Sequence, residues 1–157
     1  MTHVRPAEIL GPHMDLALAL VCDEARERAD GRLDIVGAYN ELSAPGFPAV
    51  QPRMTVVFVM DWAGDEMGRQ AFRADLVEDS GERVLTIEGE TQVQPRTAGR
   101  APPQTRLVLL LEQVIFPRAG RYRFELLAAG DVHAACSIFL NEHIDQAAPT
   151  SSGSQRS

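Results

Sequence analysis

The chain has 157 residues and a net charge of -7, with 45% hydrophobic and 24% charged residues, which is the balance of an ordinary globular protein. That length fits one domain able to bury about two-thirds of its unfolded surface in a single core. The acidic excess argues against nucleic acid and membrane surfaces as partners, because both are bound through a basic footprint; all fifteen cationic residues are Arg.

Residues 1–14, which include Gly11-Pro12, read as a loose leader. The apolar stretch at residues 16–22 is too short to span a membrane, Asp15 precedes it and no small-residue cleavage site follows it. A cytoplasmic protein is therefore expected. Within the stretch Leu16, Leu18, Leu20 and Cys22 alternate with Asp15, Ala17, Ala19 and Val21, the period of a strand. A helix through Arg26 is the rival reading, since Glu24-Ala25-Arg26-Glu27-Arg28 contains good helix formers. We read a strand followed by a charged connection, with one short helical turn near residues 24–29.

Asp30-Gly31 is a turn signal, after which Leu33, Ile35, Gly37 and Tyr39 alternate as a second strand. A loop with Pro45, Gly46 and Pro48 leads to residues 54–60, apolar on both faces and so expected to be a central strand. Phe72, Ala74 and Leu76 point inward in a fourth strand, and Ser80-Gly81 turns it into a fifth, from Val84 to Ile87. Residues 94–104, with Pro95, Gly99, Pro102 and Pro103, form the longest loop. Residues 107–111 read as a second central strand, running on to Phe116. Pro117 to Gly120 turns the chain into Tyr122, Phe124 and Leu126, and Gly130-Asp131 precedes the last strand, Val132 to Leu140. The stretch from Pro117 to Tyr122 has the form of a corner at which a Tyr hydroxyl bonds back to nearby backbone. From 144 to 157 the composition cannot bury a core and predicts a disordered tail.

The expected fold class is therefore all-β: an antiparallel two-sheet sandwich of about eight strands over residues 15–143, immunoglobulin-like or related. Several local patterns support it jointly: Leu20-Val21-Cys22-Asp23, the stretch Asp30-Gly31-Arg32-Leu33-Asp34-Ile35-Val36-Gly37-Ala38-Tyr39, Phe47-Pro48-Ala49, Phe116-Pro117, and Gly120-Arg121-Tyr122-Arg123-Phe124. Together they resemble an uncharacterised bacterial family, a domain of unknown function built as a small β-sandwich. The resemblance implies the fold and lends no activity.

Catalysis finds little in the sequence. No Ser sits in a Gly-x-Ser-x-Gly elbow, and three residues along a strand set His133 and Cys136 on opposite faces. Cys22 and Cys136 read as two reduced, buried thiols, with an intersheet bridge as the alternative. No cofactor is expected. For a metal, Asp23, Asp61, Asp65 and Glu66 are the candidates, because loop carboxylates gathered at one end of a sandwich can hold Ca²⁺. For partner contact the candidates are Phe47, in the Pro-rich loop, and Trp62, at a strand end. The sequence thus points to a non-catalytic binding or assembly module that contacts a protein partner or its own kind. The alternative is a metal-dependent binding or hydrolytic domain built on the loop carboxylates.

Overall fold

Nine β-strands and no helix make up the residues described in the computed structural model, 14–63 and 67–143. The expected disordered tail, Asp65, Glu66 and all of the leader but Met14 lie outside them. One sheet has four strands in the order β2 (Leu33–Tyr39), β1 (Met14–Glu27), β4 (Ala49–Trp62), β7 (Gln104–Phe116). The other has five, in the order β3 (Glu41–Ala44), β9 (Asp131–Glu142), β8 (Gly120–Ala128), β5 (Gly68–Glu78), β6 (Arg83–Val93).

Four sequence expectations change. The ninth strand is β3, four residues at the start of the Pro-rich loop, and it pairs with β9 in parallel. The chain leaves β2 in one sheet and enters β3 in the other, so it runs alongside β9 in the same direction. No helical turn follows the first strand: β1 continues to Glu27, held by antiparallel pairing of Ala25 with Ile35 and Glu27 with Leu33. Cross-strand pairing outweighs the helix preference of those residues, which is only tenths of a kcal/mol apiece. The strand expected to be central at residues 107–111 is instead the edge of its sheet. Residues 54–60 are central, between β1 and β7.

The fourth change is one of facing. A register shift between Leu16 and Leu18 against β4 puts Leu16 on the core side and Leu20 and Cys22 on the other. A second shift, where Glu125 pairs with Ala134 and Phe124 with Cys136, inserts one extra residue into β9. It sets His133 opposite Leu126 and Cys136 opposite Phe124, so both share the core-facing side rather than opposite faces.

Between the sheets lies one core. From β4 it takes Met54, Val56, Phe58, Met60 and Trp62; from β5 and β8 it takes Phe72, Ala74, Leu76, Tyr122, Phe124 and Leu126. Phe58 meets Phe124 edge-on across the gap, with ring centroids 6.2 Å apart, and Phe116 meets Tyr122 at 5.0 Å. Such pairs are worth about 0.5–1.5 kcal/mol beyond the area they bury.

A second, smaller cluster lies on the opposite face of the four-stranded sheet. There Cys22, Val57 and Val59 are buried, with Leu20, Ala25, Leu33 and Ile35 packed on them. Pairing of β1 with β4 ends at Cys22, whereas pairing with β2 runs on to Glu27. The end of the β1–β2 hairpin therefore leaves the sheet and lies back over its outer face. It reaches β7, where Glu27 accepts from Arg106 at 3.3 Å.

Candidate functional site

Of the residues singled out as metal ligands, Asp65 and Glu66 lie outside the described residues, and Asp23 and Asp61 stand apart. Asp15 pairs with Asp61 across β1 and β4, and Asp23 lies roughly 25 Å further along β1 at the rise of a strand. Asp61 accepts from the Gln104 amide at 2.7 Å. Asp23 packs its carboxylate on Gly37, where any Cβ would collide with it. Among the described residues, no group of three or more His, Cys, Asp or Glu side chains is placed to hold a metal ion.

Trp62, a candidate partner contact, is 1% exposed, and its indole N–H donates to the Thr105 hydroxyl at 2.8 Å. That hydrogen bond closes its polar end, so the ring caps the core. Phe47, the other candidate, is half-buried and packs against the main core, with a cis bond to Pro48.

The buried reactive groups are held neutral or paired. Burial pushes the Cys136 thiol up to about 12, so it stays protonated at neutral pH despite sharing a face with His133. Burial, then the nearby Asp23 charge, raises the Cys22 thiol as well. Cys22 lies in the outer cluster and Cys136 against the central core, and both are free thiols. Burial, then Asp23 and Cys22, pushes the Tyr39 hydroxyl to about 12. Glu78 receives Arg118 Nη1 on both carboxylate oxygens, at 2.5 and 2.6 Å. Asp75 accepts from Thr86 at 2.8 Å and lies 3.2 Å from Arg73 Nε. The expected corner is present: the Tyr122 hydroxyl donates to the Arg118 carbonyl at 2.6 Å and accepts from its N–H at 3.1 Å.

Several hollows open on the described surface, and three matter here. One, about 740 Å³, lies where β5, β6 and the β8–β9 turn meet, and is lined by Gln70, Phe72, Arg73, Glu88 and Glu90. A second, about 330 Å³, lies under the Pro45–Pro48 loop against Val50, Phe116 and Leu140. The third, about 310 Å³, runs between the edges of β6 and β7 and is lined by Val84, Leu85, Leu110, Val114 and Ile115.

The last two flank the edge of β7, which among the described residues pairs with β4 alone. Leu107, Leu109 and Leu111 turn to the core, which leaves Arg106, Val108, Leu110 and Glu112 on the outer face. Leu110 is 48% exposed and Ile115 is 55% exposed. Val50, paired with Ile115 on β4, is 51% exposed and lines the neighbouring hollow. These aliphatic residues escaped the sequence reading because an apolar run at an edge and one at a sheet centre look alike along the chain. The only local signal was the flanking pair Arg106 and Glu112, charges that a strand covered on both faces rarely carries.

Among solved structures the chain is similar to the alkylpurine DNA glycosylase AlkC of Pseudomonas fluorescens bound to DNA containing an abasic site analog. The identity is 10% and the TM-score 0.47, over 88% of this chain and 33% of that one. A β-glucosidase from Listeria innocua in complex with glucose is similar at 9% identity and TM-score 0.43, over 84% and 17% of the two chains. A crustacean hemolymph-type prophenoloxidase is similar at 9% and 0.44, over 90% and 35%. The chain thus spans about a third or less of these larger proteins, and at such values the likenesses carry no functional argument. No curated protein matches it in sequence. One family model does match, over residues 17–141, and by it this chain belongs to the family of unknown function DUF6941.

Proposed function

We propose that this protein is a non-catalytic binding or assembly module of the bacterial cytoplasm, an immunoglobulin-like sandwich that contacts another protein chain through its β7 side. The observation that carries this reading is the exposed aliphatic surface of Leu110, Ile115 and Val50 beside a strand edge that no other described strand pairs with. Exposed apolar side chains at a sheet edge favour association, because an added strand satisfies the free backbone groups while burying them. The chemistry-bearing side chains support the same reading, since Cys136 is protonated and Glu78 and Asp75 are engaged with Arg118 and with Arg73 and Thr86.

The test is affinity capture from the native host with tagged full-length chain, set beside sedimentation of the purified protein. Capture or self-association that weakens in Leu110→Lys and Ile115→Lys supports the reading. A protein that stays monomeric and retains nothing, or whose contacts ignore both substitutions, overturns it.

A further inference from the structure

We propose that the β7 edge pairs with the β7 edge of a second copy of this chain, antiparallel about a two-fold axis through Leu109. This rests on the binding-module reading above, and adds to it the partner and the register.

The argument is one of charge and shape. From 106 to 112 the strand reads Arg-Leu-Val-Leu-Leu-Leu-Glu, with opposite charges equally far from Leu109. Antiparallel pairing about that residue sets Arg106 against Glu112 of the partner subunit, and Glu112 against Arg106 of the partner subunit. Val108 then faces Leu110 of the partner subunit. All four positions lie on the outer face, so the charged pairs flank an aliphatic centre and each contact occurs twice. A slip of one residue would set Arg106 against Leu111 of the partner subunit, an inward-facing side chain, and lose both ion pairs. Arg106 already meets Glu27 at 3.3 Å, and a guanidinium has donors left for a second carboxylate.

The other edges do not offer this. β6 carries Arg83, Glu88 and Glu90, charges that discourage edge pairing. β3 has four residues, and β2 has seven with a positive φ at Gly37. β7 has thirteen, and its regular run ends at Gln113, whose φ of 55° breaks the extended backbone beyond the proposed pairing. The groove against Val84 and Leu85 leaves space beside the second half of this edge.

Sedimentation velocity of the full chain across a concentration series tests the proposal, with wild type, Glu112→Arg, the double charge swap Arg106→Glu/Glu112→Arg, and Leu110→Lys. The expected result is a wild-type dimer, weakened roughly tenfold or more in Glu112→Arg because the two-fold axis counts each like-charge contact twice. The charge swap should restore it. Leu110→Lys, at a position that is already half exposed, should weaken the dimer while the circular dichroism melt stays near wild type. A wild type that remains monomeric throughout overturns self-pairing, and if it still captures a host protein through Leu110 and Ile115 the binding-module reading survives. A dimer indifferent to these substitutions overturns the surface. Loss without recovery in the swap overturns the register.

Discussion

Gly37 is where the β1–β2 hairpin turns away from its sheet. Its φ is 70°, a region that glycine enters freely, and the Asp23 carboxylate fills the space a side chain would need. Gly37→Ala should therefore cost about 1–3 kcal/mol, from backbone strain plus the collision. In a Gly37→Ala/Asp23→Ala double variant the collision with the carboxylate disappears, leaving the strain and a tight contact with the Cβ of residue 23, so urea midpoints should show partial recovery. Full additivity of the two single losses would contradict the contact. Tyr122 gives a second measurement at this scale. Tyr122→Phe removes a bond donated to the Arg118 carbonyl and leaves that residue's N–H without its acceptor. The expected loss is about 1–3 kcal/mol, with the fold retained, read from the same denaturation experiment.

At the level of elements, the hairpin end is a separate layer. It is tied down by Ala25, Leu33 and Ile35 against Cys22, Val57 and Val59, and at its far side by the exposed pair of Glu27 with Arg106. The ion pair adds little, since exposed pairs contribute about 0–1 kcal/mol. The apolar contacts decide. Ile35→Ser should loosen the hairpin end selectively, so hydrogen exchange should speed up in β2 and the end of β1 while β5 and β8 keep their protection. Equal acceleration across both sheets would show that the hairpin is part of the main cooperative unit. The same element shows why local reading failed around residue 24. Glu24 to Arg28 favour a helix as an isolated segment, and nothing nearby in sequence announces that β2 will pair with them. The faces of β1 and β9 were misassigned for a related reason: each contains a one-residue irregularity, and a period of two cannot signal its own interruption.

Across the whole molecule, the two sheets are joined by aromatic contacts between β4 and β8 and between β7 and β8. Phe58→Ala should be the most damaging of the substitutions considered, at about 3–5 kcal/mol, because Phe58 is fully buried and faces a ring on the opposite sheet. The global stability should also depend on alkaline pH. The Cys136 thiol rises from 9.0 to about 12 and the Tyr39 hydroxyl from 10.0 to about 12 on folding. Between those values the folded chain holds more protons than the unfolded one, so stability falls as pH rises. Below the unfolded thiol value of 9.0 neither group contributes a slope, because both states are protonated. Urea midpoints should be level with pH up to that value and then decline, and Cys136→Ala should flatten the first part of the decline.

The sequence by itself determined that this is an all-β chain, roughly where most strands lie, and which apolar side chains of β4, β5 and β8 form the centre of the core. Those properties follow from alternation, turn residues and apolar content, all of which act over a few neighbouring positions. It also placed the Tyr122 corner, because that motif closes within five residues. Only the tertiary structure decided that Asp23 and Asp61 lie far apart, that Trp62 is covered, that His133 and Cys136 share a face, and that the most apolar stretch after β4 is an edge. Each of these depends on strand order or register, which is set by pairing between residues distant in the chain; locally only the charges of Arg106 and Glu112 hinted at the edge.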